Sequence, residues 1–220
     1  MAIALPLFPL QTVLFPGGVL PLRIFEVRYL DLIGRCHKEG APFGVVSLTQ
    51  GQEVRQRTAA AAHGEAFEAE AFQAVGTLAH IVALARPQPG LLLIRCRGGR
   101  RFRLSSSEQL KHGLWVGQVD WLPDDPQVPV PPDLTPVRLG LERLLAQVQA
   151  QGDAQNFPVQ APYRWDDCGW LANRWCELLP VSAQLKQQFL ALDNPLLRLE
   201  LVADLLEHLQ IGGAPQADAA

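Results

Sequence analysis

The chain has 220 residues, a formal net charge of −3 and an apolar fraction of 48%. That apolar content excludes a disordered chain, and a nearly balanced, slightly acidic charge gives no global pull toward nucleic acid or an anionic membrane. No run approaches the ~18 consecutive apolar residues that a membrane helix needs, and the length allows one large or two small domains.

The first thirty residues interleave apolar side chains with proline: Leu5-Pro6-Leu7-Phe8-Pro9-Leu10, Phe15-Pro16-Gly17-Gly18, Leu20-Pro21-Leu22-Arg23-Ile24-Phe25-Glu26, then Arg28-Tyr29. Proline fixes φ and lacks a backbone donor, so this segment is neither helix nor central strand. It predicts short edge strands joined by tight turns, followed by a helix opening near Glu26. Without a basic leader and with its prolines, the segment does not read as a signal peptide, and a cytoplasmic location is expected. Tyr29, Leu32, Ile33 and Cys36 then fall at helical spacing, with Gly40 as the stop.

Strand signals follow. Phe43 to Leu48 is a short apolar run. Residues 51–74 are rich in Ala, Gln and Glu and read as a long loop or a marginal helix, its Glu65, Glu68 and Glu70 forming a solvated acidic cluster. Val75 to Leu84 reads as a strand covered on both faces. Pro87-Gln88-Pro89-Gly90 is a turn, and Leu91 to Cys96 is the returning strand. Arg95, Arg97, Arg100, Arg101 and Arg103 surround Gly98-Gly99 and suggest a basic hairpin. Leu114 to Trp121 alternates, placing Trp115, Val119 and Trp121 on one face.

Residues 123–136 (PDDPQVPVPPDLTP) form a stiff, proline-rich connector. Beyond it the period becomes helical. Thr135-Pro136 is a cap followed by proline, with the stripe Leu141, Leu144, Leu145 and Val148. Asp167 caps a helix carrying Leu171, Trp175, Leu178 and Leu179. Ser182 opens a short helix with Leu185 and Phe189. Asn194-Pro195 opens a last helix expected to bury Leu197, Leu201, Val202, Leu205 and Leu209 before Gly212-Gly213. The expected organisation is a β-rich domain over 1–122, a linker over 123–135, a helical subdomain over 136–213 and a flexible tail over 214–220.

The N-terminal pattern LPLFPL, VLFPG, LPLRIFE and RY resembles the N-terminal, substrate-binding domain of Lon-type ATP-dependent proteases, and also small bacterial proteins made of that domain alone. Val75-Gly76-Thr77-Leu78-Ala79-His80-Ile81 and Gly99-Arg100-Arg101-Phe102-Arg103-Leu104 are similar to two further strands of that family. The resemblance implies an α+β fold: an N-terminal PUA-like β pseudobarrel with one helix, then a C-terminal α-helical bundle. It also implies recognition of exposed apolar segments of unfolded or misfolded proteins, alongside a separate protease or chaperone or alone.

No catalytic constellation stands out. There is no G-x-x-x-x-G-K-[ST] and no G-x-S-x-G. Four cysteines are scattered without a C-x-x-C pair, so buried free thiols are expected rather than zinc. His80 lies in a strand and reads as a hydrogen-bonded structural histidine. No catalytic residue, metal or cofactor is therefore expected. The candidate peptide-binding residues are Phe25, Glu26, Arg28 and Tyr29, rimming a shallow groove beside the proline-blunted strands. Two alternatives are an RNA-binding surface on Arg100, Arg101 and Arg103 and a small hydrolase with its nucleophile in a pocket.

Overall fold

The protein is described by a computed structural model that covers residues 3–51, 70–110, 113–152 and 157–211. Glu65, Glu68, most of the expected 51–74 loop and the expected tail lie outside the described residues. The chain divides into two compact units, Met1–Asp124 with Val181–Ala191, and Asp125–Pro180 with Leu192–Ala220.

The first unit contains β1 (Ile3–Leu10), β2 (Val19–Ile24), α1 (Val27–Glu39), β3 (Phe43–Gln50), β4 (Ala71–Phe72), β5 (Val75–Gln88), β6 (Leu91–Gln109), β7 (Trp115–Trp121) and α4 (Ala183–Ala191). β1 pairs antiparallel with β7 and parallel with β3, so the order β1-β7-β6-β5-β3 closes on itself as a five-stranded ring. The prolines of β1 fit this closure. Residues 3–7 pair with β7 and residues 7–10 with β3, so only Leu7 belongs to both ladders. Pro6 and Pro9 each stand in a half-strand with one bonded neighbour, where a missing N–H is tolerated. The edge character read from the sequence thus applies to each half of β1 separately.

β6 corrects a second expectation. Leu91 to Gln109 is one continuous strand of 19 residues, not two strands meeting in a basic hairpin at Gly98-Gly99. Its first part lies between β5 and β2, and its last part pairs with β7. Gly98 sits where the Phe15–Gly18 turn crosses β6. The Gly17 N–H donates to the Gly98 carbonyl at 2.8 Å, and the Gly98 N–H donates to the Gly18 carbonyl at 2.8 Å. The backbones approach so closely that only glycine fits. β4 corrects a third: Phe72 pairs with Leu48, so strand structure resumes at the end of the expected loop.

Two apolar clusters fill the unit. Leu5, Leu7, Val46, Leu78, Phe102 and Val119 form one, flanked by Trp115 and Trp121. The other gathers the expected α1 stripe (Tyr29, Leu32, Ile33, Cys36) against Phe8, Ile24, Phe43, Leu92, Ile94 and Cys96. Gly40 ends α1 at φ 64°. α4 joins this unit, whereas the sequence grouped it with the other C-terminal helices. The Gln187 side-chain amide donates to the Val75 carbonyl at 2.7 Å, and Arg101 donates to the Leu190 carbonyl at 2.8 Å.

The second unit contains a 3₁₀ turn (Pro132–Leu134), α2 (Thr135–Ala150), α3 (Cys168–Leu178) and α5 (Pro195–His208). The Asp167 carboxylate accepts from the Trp170 N–H, and Asn194 accepts from Leu196 and Leu197. These are two of the caps that the sequence indicated; the third, Thr135, instead lies in the first turn of α2, which has no side-chain cap. α5 buries a different stripe from the expected one: Pro195, Arg198, Leu199, Val202 and Leu206 point inward, while Leu197, Leu201 and Leu209 stay exposed. The cause is Arg198, only 1% exposed. It donates to Asp125 at 2.6 Å, to Asn173 at 3.0 Å and to the Leu192 carbonyl. A buried guanidinium with three acceptors outweighs one leucine, and the helix turns to present it.

Candidate functional site

The four residues first expected at the site separate in the structure. Phe25 is 53% exposed and leads directly into α1. Tyr29 is 2% exposed and stacks on Phe8 at 4.0 Å, so its ring belongs to the core instead of a groove rim. Arg28 is committed to a local network. It donates to Glu26 at 3.2 Å, to Glu70 at 3.5 Å and to the Gly113 carbonyl at 2.7 Å, and its guanidinium lies 4.4 Å from the Tyr29 ring centre. The Glu70 carboxylate also accepts from the Trp115 indole N–H. Charge-assisted bonds of this kind hold a loop in place. Glu26 therefore serves Arg28, and its backbone carbonyl accepts the Tyr29 and Leu30 N–H groups at the head of the helix.

A cleft of about 540 Å³ opens between α1 and the end of the β5–β6 hairpin. Leu30 and Asp31 line it from the helix, and Arg86 through Leu92 line it from the hairpin. Its size lies within the roughly 300–1,000 Å³ usual for binding sites. The geometry follows from local sequence. Gly90 takes φ 77° and lets the chain reverse between Gln88 and Leu91. Ile24 pairs with Leu92, so Phe25 leaves β2 next to a lining residue. Val27, Leu30 and Asp31 share one face of α1 by their three- and four-residue spacing, and Val27 is 73% exposed. The cleft thus joins Leu30, Leu91 and Leu92 with one acid and one base, and the exposed Phe25 and Val27 stand at the head of the helix that lines it. The sequence revealed the turn at Pro87–Gly90. It gave no sign that this turn would stand against α1, so Leu30, Asp31 and Arg86 were missed.

The arginines of the RNA alternative do not share one surface. Arg101 is 3% exposed and holds the Leu190 and Pro123 carbonyls. Arg100 is exposed, donates to the Leu122 carbonyl at 2.9 Å and lies 3.8 Å from Asp124. Arg103 is exposed and pairs in register with Asp120 on β7. His80 is exposed at the sheet surface rather than buried in a hydrogen-bonded role.

Two of the described serines have structural partners. Ser105 donates to Asp120 at 2.5 Å, and Ser182 accepts from the Leu185 N–H at the start of α4. All four cysteines are buried and free. Burial pushes the Cys96 thiol up to about 12, with a smaller contribution from Cys36 beside it, and pushes Cys168 up to about 11. Such thiols are protonated and inert at neutral pH. No group of three or more His, Cys, Asp or Glu placed to hold a metal occurs among the described residues. No described helix is long and apolar enough to cross a membrane.

The model of the ATP-dependent protease La (Lon) substrate-binding domain matches residues 4–208. The chain belongs to this family. A Lon N-terminal domain protein from Xanthomonas campestris is similar at 32% identity, with a TM-score of 0.68, over 92% of this chain and 98% of that one. The N-terminal domain of a Mycobacterium avium complex Lon protease shares the fold at 14% identity, with a TM-score of 0.58, over 93% of this chain and 98% of that one. No protein of curated function matches. The Lon substrate-binding fold accounts for the closed strand ring, the single helix packed against it and the helices that follow.

Proposed function

We propose that this Lon-type domain docks exposed apolar segments of unfolded or misfolded protein substrates in the cleft between α1 and the β5–β6 turn. The observation that carries this reading is the pair of exposed apolar side chains, Phe25 and Val27, at the head of the helix that lines one wall of the cleft. Exposed apolar area at the edge of a concavity supports binding to chains that display apolar residues. Docking is reversible and leaves the substrate covalently unchanged. A separate protease or chaperone then acts on the cargo in the cytoplasm.

Burial of a phenylalanine side chain contributes about 1.5–3 kcal/mol. Phe25→Ser combined with Val27→Ser should therefore weaken binding of labelled apolar peptides about tenfold or more in fluorescence polarisation. Leu139→Ser, on the exposed side of α2, should leave it unchanged. Equal affinity of the double variant and the unmodified protein would refute the site. Absence of binding by the folded, unmodified protein across a varied apolar peptide set would refute the function.

A further inference from the structure

Gly34 stands in the interior of α1, where glycine costs stability relative to alanine because it loses more backbone freedom on folding. No feature of the folded chain requires it there. The glycines with positive φ lie elsewhere, and a Cβ on Gly34 would meet nothing within 4 Å. Its place on the helix points outward. Gly34 follows Leu30 by four residues and Asp31 by three, so it shares their face of α1, one turn beyond the two residues that line the cleft. Val27, seven residues before it and 73% exposed, lies on that face as well. Bare helix backbone with open space above it thus continues the cleft toward the C-terminal end of α1.

We infer that a docked segment runs from the cleft along α1 and across Gly34, touching the helix backbone there, and that the preferred segments carry a carboxylate four residues from their apolar anchor. This path presupposes the dock for apolar segments at the cleft and adds the occupant's course and charge. Without a Cβ in the way, a chain comes close to the helix at Gly34. Charge selects what lies beyond. Asp31 and Arg86 both line the cleft, one charge of each sign. Past Gly34 the balance is basic: Arg35 and Lys38 are exposed, neither makes a hydrogen bond or ion pair with a described residue, and Glu39 is the only acid that follows in the helix. Spacing fits the same occupant. Leu30 and Lys38 are eight residues apart, about 12 Å along the axis at ~1.5 Å per residue. An extended chain covers that distance in about four residues at ~3.4 Å each. Every second residue of it faces the helix, so the first enters the cleft, the third crosses Gly34 and the fifth meets Lys38, with Arg35 beside it. A carboxylate at the fifth position gains charge-assisted bonds.

The test uses the full chain and three fluorescent, unstructured nine-residue peptides that share one apolar centre and end on both sides in glutamate, glutamine or lysine. The glutamate peptide should bind at least threefold more tightly than the glutamine peptide, and the lysine peptide most weakly, with the differences shrinking as salt is raised. Arg35→Glu with Lys38→Glu should reverse that order. Gly34→Ala should raise the melting temperature by about 1–4 °C and yet weaken the glutamate peptide about threefold. Gly34→Leu should weaken it at least tenfold, and Gly34→Ala decides the matter if the leucine variant does not fold by circular dichroism. A residue with a structural role alone would not move stability and affinity in opposite directions. Undiminished binding by folded Gly34 variants, a lower melting temperature for Gly34→Ala, or tighter binding of the lysine peptide would overturn the path. The dock itself would survive any of these if Phe25→Ser with Val27→Ser still weakens all three peptides. Absence of binding by every peptide would remove the dock, and the path with it.

Discussion

The Arg101 guanidinium donates to the carbonyl oxygen of Leu190, 89 residues later in the chain, at 2.8 Å. Arg101 also holds the Pro123 carbonyl at 3.4 Å. This side chain therefore ties β6 to the end of α4.

Arg101→Met should cost about 2–4 kcal/mol of unfolding free energy, since it leaves buried carbonyls unpaired and removes a charged donor. Urea denaturation would measure this. A loss under about 0.5 kcal/mol would show that α4 is held without this bond, by its apolar contacts and the Gln187 bond to the Val75 carbonyl.

Gly98→Ala and Gly34→Ala should act in opposite directions. A Cβ on Gly98 would stand 2.1 Å from the Phe15 carbonyl oxygen, which is backbone and cannot swing away, whereas a Cβ on Gly34 meets nothing within 4 Å. The first substitution should destabilise by about 1–3 kcal/mol or more. The second, in the interior of α1, should stabilise by about 0.5–1 kcal/mol. Paired thermal melts read both signs.

Asn194→Ala should destabilise by about 1 kcal/mol, because the Asn194 side chain accepts from the N–H groups of Leu196 and Leu197 at 3.0 and 3.2 Å. Asn194→Asp should restore most of the loss, as an acid suits a helix N-terminus. Chemical denaturation of the two variants checks the pair.

Stability should fall as the solution becomes alkaline. An unfolded cysteine titrates near its ordinary 9.0, while folded Cys96 is pushed up to about 12 by burial. Below pH 9 both states keep the proton and the stabilisation is complete. Above it the unfolded state releases the proton first, so stability declines toward pH 12 with a limiting slope of about 1.4 kcal/mol per pH unit for this group. Cys96→Ala should flatten the fall between about pH 9 and pH 12 in urea denaturation. An unchanged slope would assign the alkaline loss to other groups.

The sequence carried much of the fold. Where a backbone device was local, it was legible: Gly40 ending α1, Gly90 turning the β5–β6 hairpin, Asp167 and Asn194 capping helices. Of the proposed site, the sequence reading included only Phe25. Tyr29 and Arg28 sat in the same proline-rich run, but their roles depend on Phe8, Glu70 and Gly113, which the fold brings from elsewhere. Arg101 looked like its neighbours Arg100 and Arg103 because alternation tells which side of a strand a residue takes and not what covers that side. α5 shows the same limit. Hydrophobic spacing favoured Leu197 and Leu201, while a distant Asp125 drew Arg198 inward.

Helix α4 also bears on how the protein is made. The β-rich unit ends its first segment at Asp124 and receives its last piece only with Val181–Ala191. During synthesis the strands emerge first, yet the Val75 carbonyl and the Arg101 guanidinium wait for Gln187 and Leu190. A fragment cut at residue 124 would hold every described strand and still lack its closing piece. Residues 125–180 of the second unit thus fall in the chain between the two segments of the first, and the ribosome must deliver them before α4 can complete it.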